Sequence, residues 1–194
     1  MTYGVLLHTP SGSRLYGLSH EGSDYDFYTV TSANNRHKAR HDKQAIHTGL
    51  RDEPIMKIDE ITVSLSRFVH LASKGSHQAL EAMWSRQATV DRITDFRFSF
   101  YPDPYVVEDT YQRTMYKLYM NAIKSDDVKL YRQIHRMAEN LEEFREKGQF
   151  NPTLDSDAVD RVLLKANERK APEILFDSDM LSELLDFSPE VEVH

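Results

Sequence analysis

The hydrophobic pattern of this chain changes period at Ser64. Up to that point, Ile55 to Val63 (IMKIDEITV) alternates as a half-buried strand does. After it, Leu65, Phe68, Val69 and Ala72 follow helical spacing and stop at Lys74-Gly75, a basic last turn followed by a glycine suited to a helix C-terminus. The same division holds for the rest of the chain. Tyr3 to His8 (YGVLLH) reads as a short buried strand, Thr9 to Ser23 as a loop with one helical turn near Arg14 to Leu18, and Asp24 to Thr31 (DYDFYTVT) as a second strand rich in aromatic and β-branched residues. Downstream, Leu80, Met83 and Trp84 fit a short helix. Val107, Tyr111, Met115 and Leu118 fit a longer one, and Val128 to Phe144, ending at Gly148, another. Two further helices are expected at Ala158 to Lys165 and at Met180 to Leu185. Strands followed by helices define an α+β fold. Pro102 and Pro104 set a soft boundary between a sheet-bearing core, residues 1–102, and a helical region, residues 103–194, packed on it.

Composition excludes several function classes. The chain has no cysteine, which removes disulfides and thiolate metal sites. No run approaches the roughly 18 apolar residues of a membrane span. MTYGVLLHTP lacks the basic region and apolar length of a signal peptide, so a cytoplasmic protein is expected. A net charge of −7 argues against a sequence-independent coat on nucleic acid, while leaving room for an enzyme that grips one RNA end through a local basic patch.

Asp24 and Asp26 need a compensating reason, because acidic residues are poor strand formers and two on one face repel. In a strand, residues i and i+2 share a face. A divalent cation between them would relieve the repulsion, and oxygen-only ligands suit magnesium or manganese. A third carboxylate on the next strand would complete such a cage; Asp59 and Glu60 are the candidates, and being adjacent, only one of them faces the pair. Upstream, Gly12-Ser13 in a turn offers backbone N–H groups and a hydroxyl to a phosphate, and Arg14 adds charge-assisted hydrogen bonds. A phosphate grip beside an acidic metal pair points to phosphoryl or nucleotidyl transfer.

GSRLYG followed by SDYDFYTV resembles the signature of the DNA polymerase beta nucleotidyltransferase superfamily, and more narrowly its RNA-repair-associated group. ITVSLSRFVHLASKG, ALEAMWS and KLYRQIHRMAENLEEFREKGQF are similar to later segments of that group, so the resemblance spans roughly Val5 to Lys165. The chain departs from the pattern at Ser76-His77, where the group has Asn-Pro, and at Gln133, where it has histidine. The resemblance implies a magnesium- or manganese-dependent transfer of an NMP from an NTP such as ATP to a hydroxyl, with release of pyrophosphate. The acceptor would be an RNA end such as a tRNA, a protein side chain or a small molecule. It further implies that Asp24 and Asp26 bind the metal and that Asp59 is the third acid, with Glu60 the alternative. Gly12, Ser13, Arg14, Ser23 and Lys129 would bind the nucleotide. Lys129 and Arg136, seven apart on one helix face, would reach phosphates or an acceptor, or else form a solvated cationic face. The competing function is a non-catalytic, nucleotide-sensing or antitoxin-like protein on the same fold.

Other features carry less. His37 and His41 have i, i+4 spacing and lie, with His47, in a polar stretch (NNRHKARHDK and beyond) that reads as an exposed loop. Arg36, Lys38, Arg40 and Lys43 there read as solvated. Trp84 and the tyrosines from Tyr111 to Tyr131 are expected in the core. Glu81 falls on an apolar helix face, to pair with a buried cation or to support the site.

Overall fold

The computed structural model describes residues 4–32, 40–46 and 56–175. Strand β1 (Val5–Ser11) leads into a short helix α1 (Gly12–Tyr16), followed by β2 (Tyr25–Thr31), β3 (Arg40–Ile46) and β4 (Met56–Ser64). Helices α2 (Leu65–Ser73) and α3 (His77–Trp84) come next, then a two-residue strand β5 (Val90–Asp91), helix α4 (Thr94–Ser99), and the long helices α5 (Pro104–Ser125), α6 (Val128–Lys147) and α7 (Ser156–Asn167). A 3-10 turn over Glu173–Leu175 follows. The strands form one mixed sheet in the order β3-β4-β2-β1-β5. β2 and β4 run parallel, and the other neighbours are antiparallel.

This is the expected α+β arrangement, with three local differences. β1 continues past His8 to Ser11 through Pro10, where a loop is expected. Proline is tolerated there because β5 pairs with β1 only at Leu7 and His8, so beyond His8 one flank of the strand needs no ladder donor. Arg40 to Lys43, expected in an exposed loop, belong to β3, which pairs antiparallel along β4 from Arg40↔Thr62 to Ile46↔Met56. Its polar sequence hides the strand because an edge strand is held by its neighbour's backbone rather than by buried side chains. β5 and α4 add to the expected elements, both being too short for a period to show in the sequence. His37, His47 and the helix expected at Met180 to Leu185 lie outside the described residues.

Helix boundaries follow local chemistry. Ser64 caps α2 by accepting from the Arg67 N–H at 3.3 Å. Asp103, Asp127 and Asp155 cap α5, α6 and α7 in the same way, with Pro104 at the first turn of α5. The sheet buries one face: Leu7, Tyr28, Val30 and Val63 pack with Phe68, Ala72, Leu80 and Met83 of α2 and α3. The same buried cluster continues into Tyr111 and Met115 of α5 and into Ile134, Met137 and Leu141 of α6, so the helical region shares the core of the sheet. Trp84, Tyr111 and Tyr131 are buried within it, as expected.

Candidate functional site

Parallel pairing of β2 with β4 brings Asp26 opposite Asp59 and Phe27 opposite Glu60. Directly opposed residues in a sheet share a face, so Asp26 and Asp59 project together while Glu60 projects to the other side. The surroundings agree. Asp24, Asp26 and Asp59 all line a cleft of about 610 Å³. Glu60 accepts a 2.6 Å hydrogen bond from Thr29 Oγ1 and lies 3.9 Å from His8 Nδ1. Asp24 stands one residue before β2 and is exposed. Among the described residues, no group of three or more His, Asp or Glu side chains converges closely enough to form a ready-made metal cluster. Asp24, Asp26 and Asp59 offer carboxylate oxygens to the cleft, the chemistry that suits magnesium or manganese.

The turn before α1 is fitted to this acidic pair. Gly12 has φ +61°, and a Cβ there would overlap the Asp26 carboxylate, coming within 2.9 Å of its Cγ. Only glycine allows the backbone so close. Gly12, Ser13 and Ser23 line the cleft, and Ser23 Oγ accepts from the His20 N–H at 2.9 Å. Arg14 does not line it. Its Nε and Nη2 donate to the carbonyls of Asp24 (3.1 Å) and Ser23 (2.8 Å), and its guanidinium lies 3.5 Å from the centre of the Tyr25 ring. Arg14 therefore holds the strand entrance that carries Asp24.

The opposite wall comes from α6. Lys129, Arg132, Gln133 and Arg136 share one helix face and all line the cleft. Arg132 is not among the expected site residues, yet it lies on the stripe of Lys129 and Arg136, three residues after one and four before the other, and that spacing is its signal. Lys57 also lines the cleft, on the same strand face as Asp59; its period of two with Asp59 was the available signal.

Below the cleft lies a buried ion pair. Arg136 and Glu81 are each 1% exposed, and Arg136 Nη1 donates to Glu81 Oε1 at 2.5 Å. Tyr16 donates its hydroxyl to Glu81 Oε2 at 2.5 Å and places its ring 3.7 Å from the guanidinium carbon of Arg136. Burial pushes the Tyr16 phenol well up, keeping it a donor. Burial also opposes the charge on Arg136, but Glu81, Tyr16 and Tyr111 outweigh it and the guanidinium is held charged. Arg136 is thus not part of a solvated cationic face, and Glu81 pairs with a buried cation.

A mixed sheet with a glycine-serine turn beside an acidic strand, followed by a helical extension, is the layout of a minimal polymerase-beta-like nucleotidyltransferase core. The family model described as RlaP, the RNA repair pathway DNA polymerase beta family, matches residues 1–97, half of the 194-residue chain. The chain belongs to that family. No curated protein matches it at a significant level. Membership supports nucleotidyltransferase-type activity as a general class. Among the described residues, no helix is long and apolar enough to cross a membrane.

Proposed function

We propose that the protein is a nucleotidyltransferase that moves an NMP from an NTP to a hydroxyl acceptor, an RNA end such as that of a tRNA or a protein side chain, in the cytoplasm. The observation that carries this reading is the register of β2 on β4, which sets Asp26 beside Asp59 at one cleft wall, opposite the cationic face of α6. Asp24, Asp26 and Asp59 would hold Mg²⁺ or Mn²⁺, which would supply positive charge against the phosphates. A site of this kind takes its remaining ligands from water and substrate phosphate, so it needs only one or two protein carboxylates at a time. That agrees with acids that share a cleft without forming a closed cluster.

In this reading, Gly12, Ser13 and Ser23 bind the nucleotide phosphates from the turn side and Lys129 from the helix side, while Arg14 holds the loop between them. The acceptor oxygen attacks the α-phosphorus as its proton passes to Asp59. The bond from that phosphorus to the α–β bridging oxygen breaks, and its electron pair leaves on pyrophosphate. The residue range 1–102 acts as the catalytic core and 103–194 as the helical wall.

The test is label transfer from each α-labelled NTP to cellular RNA or protein with Mg²⁺ or Mn²⁺ present. Asp26→Asn and Asp59→Asn should each lower transfer by about 10²-fold or more, while Glu60→Gln should retain it. Absence of transfer with every NTP and both metals would count against the enzyme. Nucleotide binding by calorimetry without turnover would instead support the nucleotide-sensing reading.

A further inference from the structure

The second half of α6 borders a groove separate from the cleft at the acidic pair. Glu139, Glu142, Glu143 and Glu146 recur at helical spacing along one side of the helix, and with Asp155 they line a cavity of about 400 Å³. The other wall is the start of α7 and the segment before it. That segment is held where the Leu154 N–H donates to the Tyr16 carbonyl at 3.3 Å and Gln87 Nε2 donates to Thr153 Oγ1 at 2.9 Å. Part of the negative charge is used internally: Glu139 pairs with Arg161 at 2.9 Å, and Glu143 with Lys147 at 2.9 Å. Glu142 and Glu146 are exposed and form no ion pair among the described residues. Carboxylates alone would make this a solvated helix face. Asn140 sets it apart: it lines the same cavity, is 1% exposed, and has a buried Nδ2 with no partner among the described residues. Native proteins rarely leave such a donor unused, so its acceptor is to be sought in what enters the groove.

The carboxylates and the amide donor together select the ligand. A metal ion suits carboxylates, but no three of them converge closely enough to hold one among the described residues, and a bare cation offers Asn140 no acceptor. A protonated polyamine has the same defect. A nucleic-acid strand brings acceptors, but its phosphates are repelled by the glutamates. A peptide carrying lysine or arginine offers both groups, a backbone carbonyl for Asn140 and a cationic side chain for the free glutamates. We infer that this groove docks a lysine- or arginine-bearing peptide segment of a partner protein. A backbone carbonyl of the segment accepts from Asn140 Nδ2, and its cationic side chains meet Glu142 and Glu146. Asn140 follows Arg136 by four residues, so the groove begins one helical turn beyond the first cleft. The inference stands on the groove alone and is independent of the transferase reading.

The experiment is calorimetric titration of the full chain at low salt with a short end-blocked peptide of alternating lysine and glycine. The glutamine counterpart of that peptide and spermidine serve as comparisons. The lysine peptide should bind and weaken as salt is added, and the glutamine peptide should not bind. Glu142→Gln combined with Glu146→Gln, both on exposed side chains, should weaken the lysine peptide about threefold to tenfold. Asn140→Leu removes the donor with little change in volume; it should weaken the peptide by about as much and leave spermidine unaffected. Its melting temperature should equal or exceed that of the wild type, because an amide without a partner in the fold adds nothing that leucine lacks. Absence of lysine-peptide binding, or unchanged affinity in both variants, overturns the inference. An equal loss of spermidine and peptide in Asn140→Leu overturns it as well, as does a lower melting temperature with full peptide affinity, which assigns Asn140 to the fold. Should Asn140→Leu fail to fold, the glutamate variant decides.

Discussion

At Gly12 two independent constraints exclude a side chain. The left-handed φ disfavours any L-residue, and a methyl group would collide with the Asp26 carboxylate. Gly12→Ala should therefore lose about 1–2 kcal/mol in urea denaturation from the backbone alone, with a further loss of transfer activity because Asp26 is pushed from its place beside Asp59. A variant with wild-type stability and activity would show that the turn has room to relax. The glycine-serine pair was visible as a motif, but its contact with Asp26 was not. That contact joins residues fourteen positions apart, and only the pairing of Ser11 with Asp26 in the β1–β2 ladder creates it.

At the scale of elements, α3 places a half-buried histidine in the cleft wall and α6 brings one into the interior. Burial lowers the pKa of His77 at the start of α3 and of His135 in the middle of α6 below the ordinary value of 6.5. His135 stays neutral while its Nε2–H donates to the Lys170 carbonyl at 3.0 Å, tying α6 to the segment after α7. A depressed histidine binds fewer protons folded than unfolded. Stability is therefore complete above the unfolded value of about 6.5 and falls as pH drops below it. Melting temperature should decline from pH 7 towards pH 5, and His77→Gln with His135→Gln should flatten that decline. An unchanged slope in the double variant would assign the acid sensitivity to other groups. Helix limits were legible in sequence because caps and spacing are local: Asp103, Asp127 and Gly148 stand where the pattern begins or ends. β3 was not, because a polar edge strand is defined by its partner.

At the scale of the whole molecule, Glu81 of α3 joins α6 and α1 through two contacts, with Arg136 and with Tyr16. Removing one partner leaves a charge in the interior with no counter-charge. Glu81→Gln should cost about 3–5 kcal/mol, whereas Glu81→Met combined with Arg136→Met should recover most of that loss. Chemical denaturation of the two variants checks this, and additive losses would mean that the pair is not coupled. From sequence, Glu81 was recognisable as a misplaced charge on an apolar face, and Arg136 as a member of a cationic stripe. Their partnership was not readable, since 55 residues and three intervening elements separate them.

The α+β class, most helix limits, the acidic pair and the glycine-serine turn are legible along the chain. These depend on period, cap chemistry and neighbours close along the chain. Folding settles that Asp59 rather than Glu60 faces Asp26, that Arg14 grips a loop rather than the cleft, and that Arg132 joins the cationic wall. In each case the side chain's direction follows from strand register or helix docking, which residues distant in the chain set together by burying a common core.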